Sequence, residues 1–154
     1  MHVVIIGGGP AGLYFGILIK QQDPANEVTI LERDGPNDTF GWGIVFSDQT
    51  FSYLKASDEL SFERITGACE TWNEVVVVHR DQEVRIGGNR FSGIARLRFL
   101  KILHERCREL GVELRFHTNF GDDAPLPAAD LVVGADGANS SIRRRLAAEF
   151  GPRV

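Results

Sequence analysis

The chain has 154 residues, 43% hydrophobic and 25% charged, and a formal net charge of −4. That length and apolar content suffice for a core without metal or disulfide staples. The acidic balance speaks against nucleic acid as a partner, because phosphate binding is driven by basic surface.

The elements follow in chain order. His2–Ile6 (HVVII) is short, β-branched and ended by glycine, which predicts a buried strand. Residues 11–22 predict a helix, with Leu13, Ile17 and Lys20 at helical spacing and Pro24 just beyond its end. Glu27–Leu31 (EVTIL) predicts a second apolar strand. Strand, helix and strand within about thirty residues form the βαβ pattern of a parallel sheet. Residues 33–48 are rich in Gly, Asp and Asn and predict mainly loop, entering a short helix near Asp48. Residues 74–78 and 83–86 predict two strands joined through HRDQ as a hairpin. They break the βα alternation and point to an antiparallel layer apart from the parallel sheet.

Residues 94–110 predict a helix with Leu100, Leu103, Cys107 and Leu110 on its apolar side and Gly111 as its cap. Residues 112–117 predict a strand, 121–127 (GDDAPLP) a loop, 130–135 a buried strand and 139–150 a last helix. The expected fold class is therefore α/β: a Rossmann-like parallel sheet with helices, plus an antiparallel hairpin. Cys69 and Cys107 form no ligand pair, and Cys107 reads as a small buried hydrophobe. His2, His79, His104 and His117 are scattered without metal-ligand spacing and read as surface or strand residues. The N-terminal apolar run is too short for a signal peptide or a membrane span, so a cytoplasmic protein without membrane or metal is expected.

The stretch most informative about chemistry is VVIIGGGPAG. Gly7, Gly9 and Gly12 satisfy G-x-G-x-x-G between a predicted strand and a predicted helix. Glu32 ends the next strand about twenty residues later, the spacing of a dinucleotide site. In such a turn Gly7 permits the tight reversal, Gly9 lets a pyrophosphate approach the backbone, and Gly12 lets the helix pack close to the sheet. The helix N-terminus, with Pro10 and Ala11 in its first turn, offers amide N–H groups and a partial positive charge to phosphates. Glu32 is suited to the hydroxyls of an adenosine ribose and disfavours a 2′-phosphate, and hence NADP, at this first site. The motif alone does not separate FAD from NAD. A second stretch, LVVGADGANSSIRR, reads as a strand ending near Asp136, a Gly137 turn and a helix capped by Asn139 or Ser140.

GGGPAG, Glu32–Arg33 and ADGANSSIR together resemble the flavoprotein aromatic hydroxylases, the single-component FAD-dependent monooxygenases. The resemblance implies that Asp136, Gly137, Ser140 and Arg143, matching a D-G-x-x-S-x-x-R-like motif, serve FAD binding and NAD(P)H use. It implies that Arg33 lies at the same site and that Arg96, with Arg98 as the near alternative, contacts FAD near its pyrophosphate and ribityl chain. TFGWGIVFSDQT resembles the branch that hydroxylates aromatic acyl-CoA thioesters such as salicylyl-CoA or 2-aminobenzoyl-CoA, and implies that Gly41 and Gly43 admit the isoalloxazine ring. Trp42 and Phe46 read equally as packing residues or flavin contacts.

The implied chemistry is reduction of FAD by NADH or NADPH, followed by oxygen transfer from the reduced flavin to an electron-rich aromatic substrate. No side chain is required as nucleophile or metal ligand. The resemblance further implies that the chain is an N-terminal FAD-binding portion, residues 1–70 and 91–154 forming the dinucleotide-binding fold and 71–90 a hairpin of the substrate domain. On that expectation the isolated chain does not couple hydroxylation and self-associates through exposed edges. The alternatives are an NAD-dependent dehydrogenase domain, which leaves DGANSSIR unexplained, and a non-catalytic nucleotide-binding module. A flavin disulfide reductase is disfavoured by the lack of a redox cysteine pair.

Overall fold

The computed structural model describes residues 1–121 and 123–151. In chain order the elements are β1 (His2–Ile6), α1 (Pro10–Gln22), β2 (Glu27–Leu31), β3 (Gly43–Ser47), α2 (Asp48–Ser57), α3 (Glu59–Thr66), β4 (Glu70–His79), β5 (Gln82–Ala95), α4 (Arg96–Glu109), β6 (Glu113–Arg115), β7 (Leu131–Gly134), α5 (Ser141–Arg145) and α6 (Ala147–Phe150). They divide into two compact units, Met1–Asp38 with Leu103–Val154, and Thr39–Ile102, with the boundary falling inside α4.

The first unit is built on a four-stranded sheet of order β6-β2-β1-β7, in which β1 pairs parallel with both β2 and β7, and β2 with β6. The apolar run of β1 lies at its centre, with Val3 to Ile6 all 4% exposed or less, as expected of a strand covered on both faces. Helix α1 presents Leu13 and Ile17 to the core. It also brings its backbone close to the strands: a Cβ at Gly16 would stand 3.0 Å from the Ile30 side chain. Lys20 closes the helix end by donating to the Pro24 and Asn26 carbonyls, and buried Asn26 accepts from the Met1 ammonium at 3.1 Å.

From the second half of α4, Leu103, His104 and Cys107 are buried. The Cys107 thiol donates to the Leu13 carbonyl at 3.5 Å, and burial pushes its pKa up to about 12, which suits the expected inert core residue. His104 departs from expectation. It is 5% exposed and packs edge-on against Phe116 with ring centroids 5.1 Å apart. Burial, with a smaller contribution from the nearby Arg108 charge, lowers its pKa to about 4.

The second unit contains an antiparallel sheet of order β3-β5-β4 and the helices α2 and α3. Its core is aromatic: Phe46 lies 5.1 Å from Phe51 and 5.4 Å from Phe99 by ring centroid, and Phe51 lies 6.0 Å from Phe62. Helix α2 is capped by Ser47, whose hydroxyl accepts from the Thr50 amide. The β4–β5 hairpin turns through Arg80 and Asp81, both at positive φ, as a two-residue turn matched to strand twist requires. The cross-strand pairs Val75↔Ile86 and Val77↔Val84 put four aliphatic side chains on one face, and all four are exposed by 36–56%.

The α/β class, with a parallel sheet and a separate antiparallel layer, is as the sequence implied. Local bounds differ in several places, and the hairpin strands expected over residues 74–78 and 83–86 extend over Glu70–His79 and Gln82–Ala95. The glycine-rich stretch expected as loop contains β3, because Gly43 to Ser47 find the β5 backbone as their partner. Ile94 and Ala95, expected to open the long helix, instead pair with Ile44 and Gly43 at the end of β5. The strand expected over residues 112–117 is the three-residue β6, in which Glu113 to Arg115 pair with Thr29 to Leu31 of β2. β7 is half-exposed rather than buried because it lies at the sheet edge. The last helix is interrupted at Leu146, whose φ of −94° and ψ of 12° leave the helical range. In the expected loop 121–127, Asp122 lies outside the described residues.

Candidate dinucleotide site

The turn after β1 is held by both neighbouring strands. The Gly7 amide donates to the Leu31 carbonyl at 2.9 Å, and the Ala135 amide to the Ile6 carbonyl at 2.7 Å. Gly7 has φ +110°, and a Cβ there would stand 2.4 Å from the Ala135 carbonyl oxygen; both facts demand glycine. At Gly12 a Cβ would fall 2.0 Å from the Gly7 carbonyl oxygen, so the first turn of α1 rests directly on the glycine turn. Gly9 differs, with nothing within 4 Å of the Cβ position. It is the N-cap of α1, no side chain caps the helix there, and Pro10 occupies its first turn, where the missing N–H of proline costs nothing. Ala11 beside it is exposed. The result is open, bare backbone at a helix N-terminus, the kind of position that suits an anion.

Gly8 was not among the residues singled out by motif spacing, yet it too is tightly placed. A Cβ there would stand 2.9 Å from the Glu32 Cβ, and its amide donates to Glu32 Oε2 at 2.7 Å. The other oxygen, Oε1, accepts from the Asp34 amide at 2.8 Å. The Glu32 backbone is fixed by bonds to the Arg115 carbonyl and from the Thr118 amide. Each carboxylate oxygen thus accepts one amide and keeps a further lone pair, the capacity needed for a diol. The triple glycine is the signal that identifies Gly8: no spacing rule names the middle one, but a carboxylate at the next strand end needs room against it.

Asp136 follows β7 and turns to the helix behind it. Its carboxylate accepts from Ser140 Oγ at 2.5 Å, from the Ser141 amide at 2.6 Å and from Ser141 Oγ at 2.9 Å. Partial burial would raise its pKa, but these hydrogen bonds outweigh it and hold the group below the usual carboxylate value. Gly137 supplies the turn at φ +83°. Ser140 rather than Asn139 caps α5, accepting from the Arg143 amide, and the Arg143 guanidinium donates to the Ala138 carbonyl. DGANSSIR therefore folds as a self-bonded strand-turn-helix at the carboxyl end of the strand beside β1. Arg33 makes an exposed ion pair of 3.5 Å with Asp34.

The second unit brings Gly41, Gly43 and Arg96 together. Gly41 has φ +96°, and its Cβ position lies 3.9 Å from Arg96 Cδ. A Cβ at Gly43 would meet the Ile94 carbonyl oxygen at 3.0 Å. The Arg96 amide donates to the Trp42 carbonyl at 3.1 Å. Arg96 Nε is buried without a hydrogen-bond partner among the described residues, as is Thr39 Oγ1. An orphaned guanidinium donor beside a bare glycine is a fit for an acceptor-rich ligand. Phe46 resolves to core and Trp42 to surface.

The family model described as "Lycopene cyclase protein" matches residues 2–149. The chain belongs to the lycopene cyclase protein family. Its curated relatives include the salicyloyl-CoA 5-hydroxylase of Streptomyces sp, 42% identical over 99% of this chain and 29% of that protein. Another is the 3-hydroxy-4-methyl-anthranilyl-[aryl-carrier protein] 5-monooxygenase of Streptosporangium sibiricum, 32% identical over 98% of this chain and 42% of that protein. Among solved structures, CtdE in complex with FAD and a substrate superposes with a TM-score of 0.74 at 20% identity, over 94% of this chain and 39% of that one.

This member of the lycopene cyclase protein family thus spans well under half the length of these relatives. The resemblance to FAD-dependent aromatic hydroxylases is borne out by their names, the salicyloyl-CoA branch included. The family model's own description was not among the expectations, and one fold hosts several chemistries. No helix among the described residues is long and apolar enough to cross a membrane.

Proposed function

We propose that the chain supplies the FAD-binding portion of an NADH- or NADPH-dependent monooxygenase that hydroxylates an aromatic substrate carried as a CoA thioester. One observation carries the reading: the open backbone at Gly9, where α1 begins, faces no atom within 4 Å, while the Glu32 carboxylate is held beside the same turn by the Gly8 amide. Diphosphate against the α1 amides and a ribose diol on Glu32 satisfy both halves of that arrangement. FAD, when bound, supplies the redox and oxygen-transfer chemistry. On this reading Gly7, Gly9, Pro10, Ala11 and Gly12 shape the phosphate cradle, and Asp136, Gly137, Ser140 and Arg143 form the neighbouring wall. Gly41, Gly43 and Arg96 belong to the flavin side.

The names of the two curated relatives support the aromatic and thioester part of the reading. The exposed apolar face of Val75, Val77, Val84 and Ile86 supports assigning the hairpin to a substrate-binding layer, and the same face is the candidate for self-association. A cytoplasmic setting, where nicotinamide reductant is at hand, belongs to the same proposal.

The test is reconstitution of the purified chain. A yellow, FAD-retaining protein stabilised by both FAD and ADP is expected. A colourless protein whose melting temperature rises with NAD and not with FAD overturns the flavin reading in favour of a dehydrogenase domain.

A further inference from the structure

His117 is exposed and holds φ +54°, in the left-handed region that side chains other than glycine seldom adopt. The other non-glycine residues at positive φ among the described residues, Arg80 and Asp81, form the β4–β5 turn, so His117 calls for a cause of its own. The hydrogen bonds around it supply one. The register of β2 and β6 ends at Leu31↔Arg115, and the Glu32 amide still donates to the Arg115 carbonyl at 2.9 Å. A regular parallel ladder would continue with the residue 117 amide on the Glu32 carbonyl. Instead the Thr118 amide donates to that carbonyl at 2.8 Å, and the His117 amide donates to the Asp34 carbonyl at 3.3 Å. The left-handed turn at His117 makes this one-residue offset, in the manner of a bulge. Asp34, pinned in this way, donates its own amide to Glu32 Oε1 at 2.8 Å. The imidazole packs on the same segment: a Cβ at Gly35 would stand 3.0 Å from His117 Cε1.

We propose that His117 is a positioning residue for sugar recognition: its left-handed backbone pins Asp34, whose amide fixes the Glu32 carboxylate in the orientation that takes a ribose hydroxyl. The proposal rests on the FAD reading above for the assignment of Glu32 to a ribose, and adds a residue that the glycine motif and its acidic partner do not name. Left-handed backbone outside a hairpin turn persists where the surroundings over-determine it, and such positions cluster at ligand sites. The chain of bonds from His117 to Asp34 to Glu32 is what the conformation secures here.

The experiment uses the full 154-residue chain, its Glu32→Ala variant, and a series at His117 of rising left-handed cost: Gly, Asn, Ala and Val. Affinities for ADP and 2′-deoxy-ADP are measured by equilibrium dialysis, and the fold is checked by circular dichroism. The ratio of the two affinities cancels any change in folded fraction, so a merely structural role leaves it unmoved. The parent is expected to prefer ADP by about ten-fold, the scale of one hydrogen bond to a charged group, and Glu32→Ala to lose that preference. His117→Val should approach Glu32→Ala, with His117→Ala between it and the parent. His117→Gly and His117→Asn, which accept the same φ, should rescue the ratio. If His117→Val fails to fold, the order of Ala against Gly and Asn still decides. A parent-like ratio throughout the folded His117 variants overturns the proposal alone. A ratio lost in His117→Gly as fully as in His117→Ala also overturns it, because the turn is then intact and only the imidazole is gone. A parent chain that binds neither nucleotide, or shows the same ratio as Glu32→Ala, overturns the proposal and the ribose assignment together.

Discussion

Glu32 accepts the Gly8 amide at 2.7 Å, so the carboxylate at the end of β2 is tied to the glycine turn at the end of β1. With its second bond, from the Asp34 amide, this residue is both a prop of the local fold and a candidate ligand group. Glu32→Ala should therefore lower stability by about 1–3 kcal/mol, the cost of leaving polar groups unpaired, and also abolish stabilisation by ADP. Glu32→Gln, which keeps an oxygen acceptor, should recover part of the stability. Urea unfolding with and without ADP reads both effects.

The glycines of the motif should separate cleanly. Gly9→Ser places its Cβ in open space and introduces a good N-cap, so unfolding free energy should stay within about 0.5 kcal/mol of the parent while the FAD- and ADP-induced rise in melting temperature is lost. Gly12→Ala drives a Cβ to 2.0 Å from the Gly7 carbonyl and should destabilise the unliganded chain by about 1–3 kcal/mol. Equal stability loss in the two variants would show that Gly9 is a structural residue.

Asp136 titrates below the ordinary carboxylate value because Ser140 and Ser141 bond its ionised form. A depressed folded-state pKa means the stabilisation is complete above the unfolded value of about 3.9 and is lost as pH falls through the lower, folded value. The melting-temperature gap between parent and Asp136→Asn should be widest near neutral pH and close in acid. A gap that is constant with pH would assign the stabilisation to shape rather than charge.

His104 behaves through burial of its neutral form, which lowers its pKa from 6.5 to about 4. Between those values the unfolded chain binds the proton and the folded chain does not, so stability falls as pH drops from 6.5 toward 4. His104→Leu should flatten that part of the pH–stability profile. An unaltered slope in chemical denaturation across the window would place the acid sensitivity elsewhere.

Much of this chain was legible before any coordinates. The βαβ start was, because β-branched runs and an amphipathic helix carry their periods in the residue order, and the glycine turn was, because it lies between them. The hairpin was visible for the same reason. What the order of residues left open is what depends on partners distant in the chain. Whether Gly43 to Ser47 is loop or strand rests on finding β5, and the exposure of β7 on its place at the sheet edge. The burial of His104 depends on Phe116 beside it. At the site, sequence alone named Gly7, Gly9, Gly12 and Glu32. Only tertiary structure showed that Gly8 is held by Glu32, that Asp136 spends its carboxylate on α5, and that Trp42 stands in water. The reason is physical: local propensity and spacing are properties of the chain itself, whereas a hydrogen bond across 24 residues exists only once two strands have been laid side by side.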